Sequence, residues 1–305
     1  MRAPAGRPLA AALWMSGSIA GFSALAVSGR QIGATLDTFE MMLYRSLIGF
    51  AVIVATAAAT RRWSAISRHD LGLHLLRNLV HFAGQNLWLA ALALIPLAQL
   101  FAIEFSNPLI VALLAPLLLS ERLGAARLGA VALGFAGILM VARPFAAGGL
   151  SPGLLIALAS AAAFAGTAIL TKWLTARVSV LNILFWLSLM QSAFGLICAG
   201  IDGDIALPGR DNAGWVVVMG LSGLVAHLSL TKALSLAPAT VVMPVDFLRL
   251  PVIAVIGMAF YGEALDPWVL AGGAIIFLAN WLNIRLESQQ VRSRARRGAA
   301  PTQRQ

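Results

Sequence analysis

The stretch ALALIPLAQLFAIEFSNPL, residues 91–109, falls on ALSLAPATVVMPVDFLRLP, residues 233–251, when the chain is slid over itself by 142 residues. Pro96 then meets Pro238, Glu104 meets Asp246, and Phe105 meets Phe247. Shared apolar letters mean little in so apolar a chain, but matched prolines and acids carry weight. Upstream, Ser18, Ala20 and Phe22 meet Ser160, Ala162 and Phe164, and downstream Glu121 meets Glu263. The chain reads as one unit written twice.

Composition says where such a unit lives. Of 305 residues, 60% are hydrophobic and 11% charged, whereas a soluble domain carries roughly a quarter charged. Ten segments approach the roughly 20 residues needed to cross a hydrocarbon core. They run over 9–28, 39–59, 72–93, 98–118, 126–142, 152–172, 181–200, 213–235, 239–260 and 268–286. The expected fold is all-α and integral to the membrane, with residues 1–146 as the first five-helix repeat and 147–286 as the second. Residues 287–305 read as a basic, disordered tail.

Positive charge sets the expected orientation. With the N-terminus inside, the inner loops and tails hold fifteen basic residues, including Arg2, Arg7, Arg61, Arg62, Arg122 and the tail residues Arg292, Arg294, Arg296, Arg297 and Arg304. The outer loops hold only Arg30, Arg143 and Arg210, beside the acids Asp37, Asp202, Asp204, Asp211, Glu263 and Asp266. Both termini are therefore expected in the cytoplasm, in a bacterial inner membrane. Arg2, Arg7 and Ala24-Leu25-Ala26 imitate a cleavable secretory signal, but the match of the first span to the sixth argues for retention.

Five spans is an odd number, so two tandem units face opposite ways. Inverted repeats are a mark of secondary transporters, in which the related halves exchange conformations around a central site. The net charge of +10 does not point to nucleic acid, because the excess lies in the tail, where it suits lipid headgroups. Neither lysine, Lys172 or Lys232, follows a glycine, so there is no Walker-type phosphate loop. The single cysteine, Cys198, forms no intramolecular disulfide, and no zinc-type spacing occurs. No cofactor is expected.

The loops SERLGAARLGAVALGFAGILMVARP (120–144) and GEALDPWVLAGGAIIFLAN (262–280), together with the ten spans and the repeat, resemble the drug/metabolite transporter superfamily of the EamA type. The resemblance covers nearly the whole chain. It implies transport of amino acids, drugs or other metabolites, and within the family the chain is most similar to amino-acid exporters, aromatic amino-acid efflux proteins among them.

Charges inside a bilayer need a partner or a wet cavity. Arg45, Arg77, Lys232 and Arg249 lie within spans, as do Glu104 and Asp246. Arg77 and Lys232 lie near span ends and are expected to snorkel. Asp246 and Arg249, three apart, are expected to pair. Glu104 has no base on its own helix; Arg45 is the expected partner, or Glu104 takes a proton and couples transport to it. His74, Arg77, Asn78, His81, Gln85 and Trp88 form one stripe on span three. It is either a cavity wall, with Asn78, His81, Gln85 and Trp88 binding solute, or a set of interhelical hydrogen bonds.

Trp14, Trp186, Tyr44 and Phe164 are further candidates to stack on a solute. Trp63, Trp173, Trp215, Trp268 and Trp281 sit at span ends as interfacial anchors. The polar companions are Ser18, Ser160, Thr167, Gln191, His227 and Thr231. Pro108 and Pro251 are expected to kink spans four and nine and to serve gating. Gly129, Gly134, Gly137, Gly272 and Gly273 are expected to pack spans five and ten closely, in a monomer or homodimer. The rival readings are a membrane enzyme, for which only the isolated His69-Asp70 pair speaks, and a passive channel.

Overall fold

The computed structural model describes residues 8–118, 124–143, 150–201, 203–237 and 239–298. Arg2, Arg7, Glu121, Arg122, Asp202, Pro238 and Arg304 lie outside the described residues, and with them the Glu121–Glu263 and Pro96–Pro238 matches. In chain order the helices are α1 (Pro8–Ile32), α2 (Thr38–Ala59), α3 (Leu71–Leu94), α4 (Leu97–Glu104), α5 (Asn107–Leu118), α6 (Ala125–Ala142), α7 (Pro152–Thr175), α8 (Val180–Ala199), α9 (Arg210–Leu236), α10 (Ala239–Asp246), α11 (Arg249–Tyr261) and α12 (Pro267–Gly298). One 3₁₀ turn, Trp63–Ala65, lies between α2 and α3.

Among the described residues, nine stretches are long and apolar enough to cross a bilayer, two of them made of the pairs α4–α5 and α10–α11. The 24-residue α3 is long enough to be the tenth, and its polar stripe is what lowers its apolarity. The protein is thus an all-α integral membrane protein of two five-helix repeats.

Pairing between the repeats follows a pseudo-twofold pattern. The first span of each repeat packs on the third span of the other, α1 on α9 and α7 on α3. Spans two, four and five each meet their own counterpart, as α2 with α8, α4 with α11, and α6 with α12. The α6–α12 contact is close because Gly137 and Gly272 remove side chains from it. A Cβ on Gly137 would stand 2.8 Å from the Gly272 carbonyl oxygen, and one on Gly272 would stand 2.7 Å from that of Gly137. Gly134 and Gly273 are filled in the same way by Leu109 and Leu250. Gly129 differs from the expectation: it is exposed and nothing would meet its Cβ within 4 Å.

Local signals set several helix starts. Asp37 and Glu40 form a capping box on α2, with Asp37 Oδ1 accepting from the Phe39 and Glu40 amides at 2.7 and 2.8 Å. Ser151 and Ser179 cap α7 and α8, and Pro152 opens α7, where its missing N–H costs nothing. At the other end of the chain, α12 runs on to Gly298, past residue 287 where the sequence reading begins the basic tail. Residues 287–297 contain no proline or glycine to end a helix.

Ion pairs tie loops on both faces. On the face opposite the termini, Arg30 pairs with Glu263 and also donates to the carbonyls of Leu92 and Ile95, the latter at 2.7 Å. Arg143 pairs with Asp266 nearby. On the face of the termini, Arg177 Nη1 lies 3.1 Å from Asp70. The His69-Asp70 pair is therefore part of a loop clasp.

Candidate functional site

Spans four and nine are broken helices. The first halves, α4 and α10, end at Glu104 and Asp246; the second halves, α5 and α11, begin at Asn107 and Arg249. Each of these bounds in the second repeat lies 142 residues after its mate in the first. The breaks fall at Phe105-Ser106 and Phe247-Leu248, and the two phenylalanines meet at the centre with ring centroids 5.5 Å apart. Inside a bilayer, an interrupted helix is tolerated only where its freed backbone groups find partners or a cavity. Asn280 of α12 supplies one partner, donating from Nδ2 to the Phe105 carbonyl at 2.6 Å.

Pro108 and Pro251 therefore act differently from the mid-span kinks expected of them. They are the second and third residues of α5 and α11, within the first turn, where a proline displaces no intrahelical hydrogen bond. Pro108 borders the central cavity, while Pro251 faces outward.

Around the breaks lies a cavity of about 410 Å³. Its wall includes Phe22, Arg45, Arg77, His81, Gln85, Trp88, Glu104, Phe105, Phe164, His227, Asp246, Phe247, Arg249, Phe277 and Asn280. Leu230, Met243 and Ile284 extend it toward the face of the termini. At its centre Arg249 holds both repeat-related acids, Nη1 at 3.4 Å from Glu104 and Nη2 at 3.4 Å from Asp246. Trp88 Nε1 donates to the other Glu104 oxygen at 2.9 Å. The guanidinium also lies over three rings, Phe22 at 4.5 Å, Phe105 at 4.8 Å and Phe101 at 5.3 Å. An aromatic sleeve thus surrounds a buried charge cluster.

The structure divides the expected residues. His81, Gln85, Trp88 and Phe164 share the cavity wall with Glu104, Arg45, Asp246 and Arg249. Arg45 does not reach Glu104, the partner expected for it; it donates to Gln85 Oε1, and Arg249 takes the acid instead. Arg77 does not snorkel. It is 8% exposed and borders the cavity, donating to Thr171 Oγ1 at 3.1 Å and Asn78 Oδ1 at 3.0 Å. Lys232 is exposed near the end of its helix.

Four candidates lie elsewhere. Asn78 is fully buried between helices, its carbonyl accepting from Gln191 Nε2 at 2.8 Å. Tyr44 donates to the Ala206 carbonyl at 2.8 Å, in the loop between α8 and α9. Trp186 donates to the Ser67 carbonyl at 2.7 Å, at the face of the termini. Trp14 is 40% exposed on α1, away from the cavity. An indole N–H at a membrane face finds a loop carbonyl more easily than a solute.

The stripe on α3 thus does two jobs. His74 and Asn78 bond across helices, whereas Arg77, His81, Gln85 and Trp88 face the cavity. Leu75, Leu76 and Leu79 occupy the opposite, exposed side. Of the polar companions, Thr167 and His227 reach the wall, and Ser160 instead donates to the Gly84 carbonyl at 2.9 Å. Asn280 is a site residue that sequence reasoning missed. Its signal is an amide inside an apolar span, one of two there with Asn283, a costly placement unless it has a partner.

Two inverted five-helix repeats around a cavity at paired helix breaks define a multi-pass membrane transporter. Residues 9–143 and 151–285 each match the model of the EamA-like transporter family. The chain belongs to that family. It is 30% identical over 292 residues to a riboflavin transporter of Rhizobium johnstonii, covering 95% of each chain. It is 25% identical to an S-adenosylmethionine uptake transporter of Rickettsia bellii, covering 90% of this chain and 94% of the relative. A solved crystal structure shares the fold with a TM-score of 0.63 at 20% identity, covering 92% of this chain and 98% of the other.

Proposed function

We propose that this chain is a secondary carrier of the bacterial inner membrane, with both termini cytoplasmic, exporting amino acids, aromatic ones foremost, and related small metabolites by alternating access. The observation that carries the reading is the central cavity, where aromatic rings and a cluster of ionisable groups meet at two matched helix breaks. A zwitterionic aromatic solute finds there both ring faces and charged hydrogen-bond partners. The relatives are named for riboflavin and for S-adenosylmethionine, which widens the solute class to small metabolites generally. The Rickettsia relative is named for uptake, and an alternating carrier reverses when its gradients reverse.

Exchange is the test. Purified protein in liposomes is loaded with each of the twenty amino acids, riboflavin and S-adenosylmethionine, and counterflow of label is measured. Saturable counterflow of an aromatic amino acid supports the reading. Saturable counterflow confined to the other solutes keeps the carrier and removes the amino-acid assignment. Flux that never saturates supports a channel instead.

A further inference from the structure

The cavity wall carries three guanidinium groups, Arg45, Arg77 and Arg249, against two carboxylates, Glu104 and Asp246. Both acids lie against Arg249, at 3.4 Å each. The other two arginines have only neutral partners among the described residues. Arg45 Nη1 donates to Gln85 Oε1 and meets Met42 Sδ at 3.8 Å. Arg77 is held by Thr171 Oγ1 and Asn78 Oδ1. Arg45 Nε and Nη2, and Arg77 Nη2, have no hydrogen bond to a described residue. Even with both acids ionised, the wall bears an excess of positive charge. A cation in a buried site without a counter-ion is costly, which favours an anion in a cavity of this kind.

The spacing makes one surface of these groups. Arg77, His81 and Gln85 follow at four-residue steps on α3, so they line one face of the helix, and Gln85 brings Arg45 of α2 to its upper end. His81 Nδ1 is buried without a partner. Gly223 of α9 allows the Arg45 guanidinium to lie flat against that helix, since a Cβ there would stand 3.0 Å from Nη2. Phe164, 5.9 Å from His81 between ring centroids, and Trp88 flank the same face.

We infer that Arg45, Gln85, His81 and Arg77 form an anion subsite, which recognises a carboxylate or phosphate on the carried solute while Phe164 and Trp88 hold its apolar or aromatic body. The inference rests on the carrier reading and adds a required charge to the solute. Arginine suits the task because its planar fork binds either oxyanion in bidentate fashion.

Matched probes test it. Binding of L-phenylalanine against phenethylamine, and of flavin mononucleotide against riboflavin, is measured on the full chain by calorimetry, with counterflow of the same four in proteoliposomes. The member of at least one pair that bears the carboxylate or phosphate is expected to bind at least tenfold more tightly than its mate; the phenylalanine arm reports carboxylate and the mononucleotide arm phosphate. R45Q and R77Q each lose that preference, and R45K and R77K retain part of it. Equal or tighter binding of phenethylamine and riboflavin, a preference unchanged in the glutamine variants, or no binding of either anion overturns the inference. Because the wild-type comparison needs no variant, misfolding of R45Q or R77Q does not rescue it. Anion binding without any counterflow upholds the subsite and contradicts the carrier reading; counterflow that favours the uncharged or cationic mates does the reverse.

Discussion

Arg249 at the start of α11 in the second repeat lies 3.4 Å from Glu104 at the end of α4 in the first. The acids of the two repeats match in position but their companions do not: Asn107 stands where the second repeat has Arg249. One cation therefore serves both repeat-related acids. Truncating one member of a buried pair costs about 3–5 kcal/mol, because its partner keeps the desolvation cost without the attraction. R249Q leaves two acids facing each other, so its melting temperature in detergent should fall sharply and its transport by at least a hundredfold. The triple variant R249Q/E104Q/D246N should recover much of the thermal stability but not the transport. A thermal-melt cycle over these variants checks this.

Glu104 is also the candidate coupling carboxylate. A proton on it removes the charge that holds Arg249, so acid conditions should favour separation of α4 from α11. Wild-type transport should change between mildly acidic and mildly alkaline conditions, and E104Q should respond far less. A pH profile for E104Q that parallels the wild type would sink the coupling role.

Helix packing gives a prediction about stability alone. G137L forces a side chain into the Gly272 carbonyl, 2.8 Å from the new Cβ, and overpacking of this kind costs about 1–3 kcal/mol. A lowered melting temperature is expected for G137L and G272V. G129A, with open space around it, should melt like the wild type. Equal melting of all three would contradict the close α6–α12 contact.

These elements differ in how far the sequence exposes them. The repeat was legible because prolines, acids and phenylalanines recur at fixed spacing in a background of uninformative apolar letters, and the helix breaks fall at that same spacing. Arg77 and Trp186 were not legible. Arg77, near a span end, can reach the interface or a neighbouring helix, and Trp186, set further in, can turn toward the cavity or toward a loop; only the positions of Thr171 and Ser67 in space decide. Asn280 could be seen as an amide within an apolar span, but its partner, the Phe105 carbonyl, exists only because α4 stops there. Likewise, Arg45 and Arg249 were each in reach of an acid on paper, and three-dimensional packing decided which one took it.

The face opposite the termini carries a latch. Glu263 accepts from Arg30 and from the Leu97 amide at 2.8 Å, joining the loop before α12 to α1 and α4. E263A should loosen that face. A cysteine placed at Phe164, in a chain where Cys198 is replaced by serine, should then react several-fold faster with an impermeant maleimide added from that side. An unchanged rate would mean that the latch does not govern access.

The same cysteine tests alternating access most directly. F164C/C198S protein is labelled in sealed vesicles of each orientation with an impermeant maleimide. Phe164 borders the central cavity, so the account predicts labelling from both faces, with E263A speeding it from the face opposite the termini and slowing it from the face of the termini. Labelling from one face only, or a simultaneous increase from both in E263A, would contradict a cavity that opens to one side at a time.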